Sequence, residues 1–206
     1  MSINEKIIVS VFQELVKHKP RLALLLTEDD EEETDIRQLA AEIIGSFPWP
    51  IGVELRRLFS AGFNALNRGR LDQILKTIER ITQFLAFLFL SQLLEESLQR
   101  DVTLPEDLKD NFAARFGTPS LGTYVWIIHT LGTVFTTNAI APFVPEMEGL
   151  LSKAFQKKLH PWTSIRNEIS HYLVTLDEAE IESRCYEYQE RLTDLLRDLC
   201  FLSHYP

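Results

Sequence analysis

The stretch LDQILKTIERITQFLAFLFLSQLLEESLQ, Leu71 to Gln99, is the longest helix candidate in the chain, and its middle, Phe84 to Leu90, is apolar all round. A helix with no polar face belongs in the centre of a bundle. On either side, shorter segments repeat the helical pattern. Ile3, Ile7, Ile8, Val11, Phe12, Leu15 and Val16 mark an amphipathic helix that Pro20 stops. Ile36, Leu39, Ala40, Ile43 and Ile44 mark another, with Thr34 as a candidate cap. Phe47-Pro48-Trp49-Pro50-Ile51-Gly52 reads as a break in regular structure, and Val53 to Leu66 as the next helix, turning at Asn67-Arg68-Gly69.

Beyond Gln99, Leu108, Phe112 and Phe116 continue a short helix ended by Gly117-Thr118-Pro119. Tyr124 to Thr136 then reads as a core helix in which His129 is expected to be a satisfied interior histidine. Glu148 to Leu159, Trp162 to Leu173 and Glu178 to about Leu202 complete the series. No β-type alternation of useful length and no solenoid repeat is present. The expected fold is all-α: a helical bundle, residues 48–206, preceded by additional N-terminal helices in residues 1–47.

Composition narrows the function. The 206 residues, 45% apolar and 25% charged, suit an ordinary globular protein with a substantial core. A net charge of −9 argues against a protein that coats nucleic acid non-specifically, although it leaves room for a small basic cleft. Cys185 and Cys200 would lie about 22 Å apart on one helix, too far to bridge, and two cysteines in so long a chain fit a reducing cytoplasm. No secretory signal is evident at the amino terminus. Between Phe116 and Pro145 no Asp, Glu, Lys or Arg occurs, but prolines, glycines, Thr136-Thr137-Asn138 and His129 make a buried core helix a better reading than a membrane span. The acidic run Glu28 to Glu33 lacks the interleaved glycine of a calcium loop and reads as a solvated surface.

No glycine-rich nucleotide loop, Walker lysine, Cys-x-x-Cys pair or His-Glu-x-x-His is found, and no metal or cofactor is expected. What remains is Ile165-Arg166-Asn167-Glu168-Ile169-Ser170-His171-Tyr172. On a helix, Trp162, Ile165, Ile169, Tyr172 and Leu173 form a face to bury, while Arg166, Asn167, Ser170 and His171 occupy the remainder. Asn167 and His171 are neighbours at i, i+4. Arg166 and His171 stand roughly 140° apart around the axis, so one helix presents them incompletely and a second copy would help. A histidine can move protons to and from a ribose hydroxyl, and an arginine can hold a phosphate and offset its developing charge. Lys153, Lys157, Lys158 and His160 precede the motif and are the candidates to contact RNA.

Arg166-Asn167 followed by His171, with an apolar residue before the arginine, resembles the motif of the HEPN superfamily; Pro50 to Leu58, the long apolar helix and Pro119 to Tyr124 resemble segments that precede it in bacterial members. The resemblance implies a helical bundle acting as a homodimer in which two motif helices form one composite site. It further implies metal-independent RNA cleavage in bacterial defence or as a toxin, with Arg166 on the scissile phosphate, Asn167 orienting it and His171 transferring protons. The implied partners are RNA, a second copy, and an antitoxin or larger defence-system protein. Tyr172 stands where many nuclease members have a small residue. Leu173 replaces the tyrosine through which some members are silenced by an AMP-transferring antitoxin. The alternative is a non-catalytic HEPN-like interaction or nucleotide-sensing module.

Overall fold

The computed structural model describes residues 3–26, 35–106, 108–172 and 176–205, with the side chains of 170–172 not among them. The described residues are helical throughout their regular structure, and no strand occurs among them. The helices are α1 (Ile3–His18), α2 (Ile36–Ser46), α3 (Trp49–Leu58), α4 (Arg68–Gln99), α5 (Leu108–Phe116), α6 (Leu121–Thr137), α7 (Lys153–Tyr172) and α8 (Glu178–Asp198), with 3-10 turns at Pro20–Leu26, Ala61–Phe63, Pro145–Leu151 and Cys200–His204. None of the described helices is long and apolar enough to cross a membrane.

Local chemistry explains most of the boundaries. The Asp35 side chain accepts a hydrogen bond from the Arg37 N–H and starts α2; Thr34, the cap expected from the sequence, lies outside the described residues. Asn67 does the same for α4: its Oδ1 accepts from the Arg70 N–H at 3.0 Å. Asn67-Arg68-Gly69 is thus a helix start, not only a turn. α8 begins with a reciprocal pair, the Glu180 N–H donating to Asp177 at 2.8 Å and the Asp177 N–H donating to Glu180 at 3.3 Å.

Three expectations are corrected. The Phe47–Gly52 segment does not break structure along its length: α3 already starts at Trp49, because Pro50 in the first turn loses no helical hydrogen bond. That helix ends at Leu58, well short of Leu66. Residues 148–159 and 162–173 are not two helices: residues 145–151 form a 3-10 turn and α7 runs unbroken through Pro161. A proline inside a helix removes a single N–H donor, and the turns on both sides of Pro161 keep α7 helical through it.

The chain divides into two compact units. The first comprises residues 1–80 and 173–206, the second 81–172. α1 and α2, read from sequence as an extension through residue 47, belong to the unit that also holds α8. In that unit α1 packs on α2, on α8 and on the Cys200–His204 turn, and Ile7, Val11, Phe12 and Leu15 of α1 are buried, as are Leu192, Leu195 and Leu199. The interior also holds Arg70, whose side chain is fully buried. Its Nη1 donates to Asn4 Oδ1 at 2.8 Å and to the Phe63 carbonyl, its Nη2 donates to Gln189 Oε1 at 2.6 Å, and Gln189 Nε2 in turn donates to the Ile3 carbonyl at 3.0 Å. Burial draws the Arg70 pKa down to about 10.

In the second unit α6 and α7 pack side by side, with the Pro145–Leu151 turn against both. The apolar Phe84–Leu90 run is not enclosed on every side: Leu85, Ala86 and Phe89 are buried, but Phe87 remains about half exposed, at 47%. A helix packed against neighbours on one side leaves its opposite face uncovered.

Candidate functional site

Of the face that its sequence pattern marks on α7, Tyr172 and Leu173 lie outside the described side chains. Trp162, Ile165 and Ile169 are all buried. Around the axis from them, the uninterrupted helix places Lys153, Lys157, His160, Ser164 and Asn167 at successive three- and four-residue steps, so they share one stripe about 21 Å long. All five are exposed. Eighteen residues make five helical turns, so position 171, in the last turn of α7, falls at the azimuth of Lys153. The side chain of His171 lies outside the described residues.

The structure therefore brings together Lys153, Lys157, His160 and Asn167 and sets two predicted residues apart from them. Lys158 and Arg166 both lie roughly 140° around the helix from Lys153. Lys158 is exposed there, and Arg166 is half-buried. Within one chain the arginine does not share the stripe.

A groove of about 820 Å³ runs along this stripe between α6 and α7. Gly122, Val125, Trp126, His129, Thr133 and Thr136 form its α6 wall, and Lys153, Gln156, Lys157, His160, Thr163 and Ser164 its α7 wall. Glycines set the width. A Cβ on Gly122 would meet Thr163 Cγ2 at 3.2 Å and one on Gly132 would meet Leu151 Cδ2 at 3.3 Å. Those two contacts also give the directions: residue 122 lies beside 163 and residue 132 beside 151, so α6 and α7 run antiparallel.

His129 is an exposed wall of this groove, not an interior histidine. The signal that could have placed it is the spacing of Trp126, His129, Thr133 and Thr136, which puts the amphipathic and polar residues of an otherwise apolar helix on one side. At the α5 side, the Arg115 guanidinium stacks 4.7 Å from the Trp126 ring centre, and Phe112 meets the same ring edge-on at 5.2 Å. Trp126 is thereby held in place as part of the wall.

Electrostatically the groove differs from the chain around it. Among the described residues no Asp or Glu lines it, although the chain carries 30 acidic residues against 21 Lys and Arg. Among the described residues no carboxylate pairs with Lys153 or Lys157. Among them, too, no group of three or more His, Cys, Asp or Glu could hold a metal ion. No family model, curated protein or solved structure matches the chain.

Proposed function

We propose that the protein is a metal-independent endoribonuclease of the HEPN type, in which RNA lies along α7 and two copies of the chain complete the catalytic site. The observation that carries this reading is the stripe. Because α7 continues through Pro161, the cations that suit phosphates, Lys153, Lys157 and His160, and Asn167 of the motif lie on one helix face. Lys153, Lys157 and His160 contact the RNA backbone, and Asn167 orients the phosphate about two turns further on. His171 accepts the proton of a ribose 2′-hydroxyl as that oxygen attacks the adjacent phosphorus. The 5′-oxygen leaves and takes a proton, giving a cyclic phosphate and a 5′-hydroxyl. Arg166, on another side of its own helix, serves the phosphate across the pair rather than within one chain.

Incubating the full chain with an RNA pool in EDTA tests the reading. Cleavage should persist in the chelator, and His171→Ala should lower it by at least about 100-fold, the usual scale of proton-transfer catalysis. Mixing Arg166→Ala with His171→Ala protein should restore part of the activity, since mixed pairs retain one intact copy of each group. Cleavage by His171→Ala at the wild-type rate would remove the catalytic assignment. A second reading, a nucleotide-sensing module without catalysis, is favoured by the groove volume of about 820 Å³, which lies within the usual range of small-ligand sites. Nucleotide binding without RNA turnover would select it.

A further inference from the structure

We infer that the groove between α6 and α7 binds a small amphipathic anion: an extended acyl carboxylate whose chain lies along the α6 wall and whose head meets the cations of the α7 wall. This goes beyond the ribonuclease reading and does not depend on it.

Polarity in the groove is divided by element. The α6 wall comes from the stretch between Phe116 and Pro145 that has no Asp, Glu, Lys or Arg. Two of its hydroxyls are engaged within the helix: Thr133 donates to the His129 carbonyl at 3.2 Å and Thr136 to the Gly132 carbonyl at 2.9 Å. With those protons used inside the helix, α6 offers the groove methyl groups, Val125, the Trp126 ring and glycine backbone, with His129 as its exposed polar ring. The α7 wall is the opposite. Lys153, Lys157 and His160 stand exposed along it, and among the described residues no carboxylate lines the groove to compete for them.

Shape selects an elongated ligand. The α6 wall extends from Gly122 to Thr137, a helical rise of about 22 Å. A chain-like apolar body fills such a trough along its length, whereas a single nucleotide is compact and brings more polar edges than His129, the exposed ring of the α6 wall, can satisfy. Volume and composition match those of small-molecule sites, mostly apolar with a few placed polar groups. If RNA uses the same lysines, the anion and RNA exclude one another; this consequence alone rests on the ribonuclease reading.

The test is calorimetric titration of the full chain, without RNA, with octanoate, decanoate and dodecanoate below their micelle concentrations. One site per chain is expected, tightening about tenfold for each two methylenes added. Lys153→Glu with Lys157→Glu should weaken dodecanoate at least about tenfold. Thr133→Trp, at an exposed position whose side chain enters the groove, should abolish binding while circular dichroism and the thermal midpoint stay as in the parent. Thr136→Trp provides the same blockade from an independent position. Decyltrimethylammonium, with a like chain and opposite charge, should not bind. Unchanged affinity in both tryptophan variants, equal binding of the cationic detergent, loss of the chain-length dependence, or AMP binding more tightly than decanoate would each overturn the proposal.

Discussion

Arg70 in the first unit and Lys153 and Lys157 in the second are cations handled in opposite ways. Arg70 is fully buried and meets the oxygens of Asn4, Phe63 and Gln189, all neutral. No carboxylate neutralises it among those partners, and its Nε has no partner among the described residues. A guanidinium so placed ties α1, α4, α8 and the Ala61–Phe63 turn together, and it has no room to meet a ligand. The α7 lysines are exposed, unpaired by carboxylates among the described residues, and aligned beside a groove. A buried cation held by the chain's own acceptors is a structural tie. A row of solvent-facing cations without internal partners contributes little to folding and is available to an external anion.

The strongest way to break this contrast is Arg70→Met. It removes the donor from two buried acceptors and one part-buried acceptor, and the expected loss of stability is about 3 kcal/mol or more in urea denaturation. An effect below about 0.5 kcal/mol would mean that Arg70 is not the tie described. Lys153→Ala together with Lys157→Ala should leave the urea midpoint nearly unchanged, as exposed substitutions usually do. If the ribonuclease reading holds, the same pair should flatten the plot of log affinity for single-stranded RNA against log salt by about 1.4, the share of two phosphate contacts. A lost midpoint with an unchanged salt slope would reverse the contrast.

A smaller effect concerns the two thiols, both free and buried in the first unit. Burial pushes Cys185 up to about 11 and Cys200 up to about 12. The unfolded chain sheds these protons near the ordinary thiol value of about 8.5, while the folded chain keeps them. Their contribution to stability is therefore intact below about pH 8.5 and declines above it. Arg70, lowered to about 10, has the opposite sign at higher pH, so the window to measure is pH 8 to about 10. Urea midpoints should fall across that window in the parent and fall less in Cys200→Ala. A thiol reagent at neutral pH should label neither cysteine until the protein unfolds.

How far the sequence could be read depended on whether the deciding interaction was local. The burial of Trp162, Ile165 and Ile169 follows from their spacing alone, as does the reciprocal cap of Asp177 and Glu180. The groove was only half legible. Lys153, Lys157 and His160 could be chosen because they precede the motif, but a proline between them and Asn167 suggested that the two groups sit on separate helices. Lys158 was indistinguishable from Lys157 in sequence, yet one residue of helical rotation takes it off the stripe. His129 was misread because an apolar run signals burial without saying which of its faces has a neighbour.

By itself, then, the sequence determined helix type, the starts of α1, α2 and α8 and the burial of Trp162, Ile165 and Ile169, since these rest on periodicity and on side chains bonding to nearby backbone. Only the tertiary structure decided that α7 passes through Pro161, that α6 lies antiparallel to it with a groove between, and that Arg70 is enclosed rather than exposed. Each of those depends on partners far away in the chain, such as Gly122 beside Thr163 and Asn4 beside Arg70. A one-dimensional pattern records which face of a helix is apolar, but not which distant residue comes to cover it.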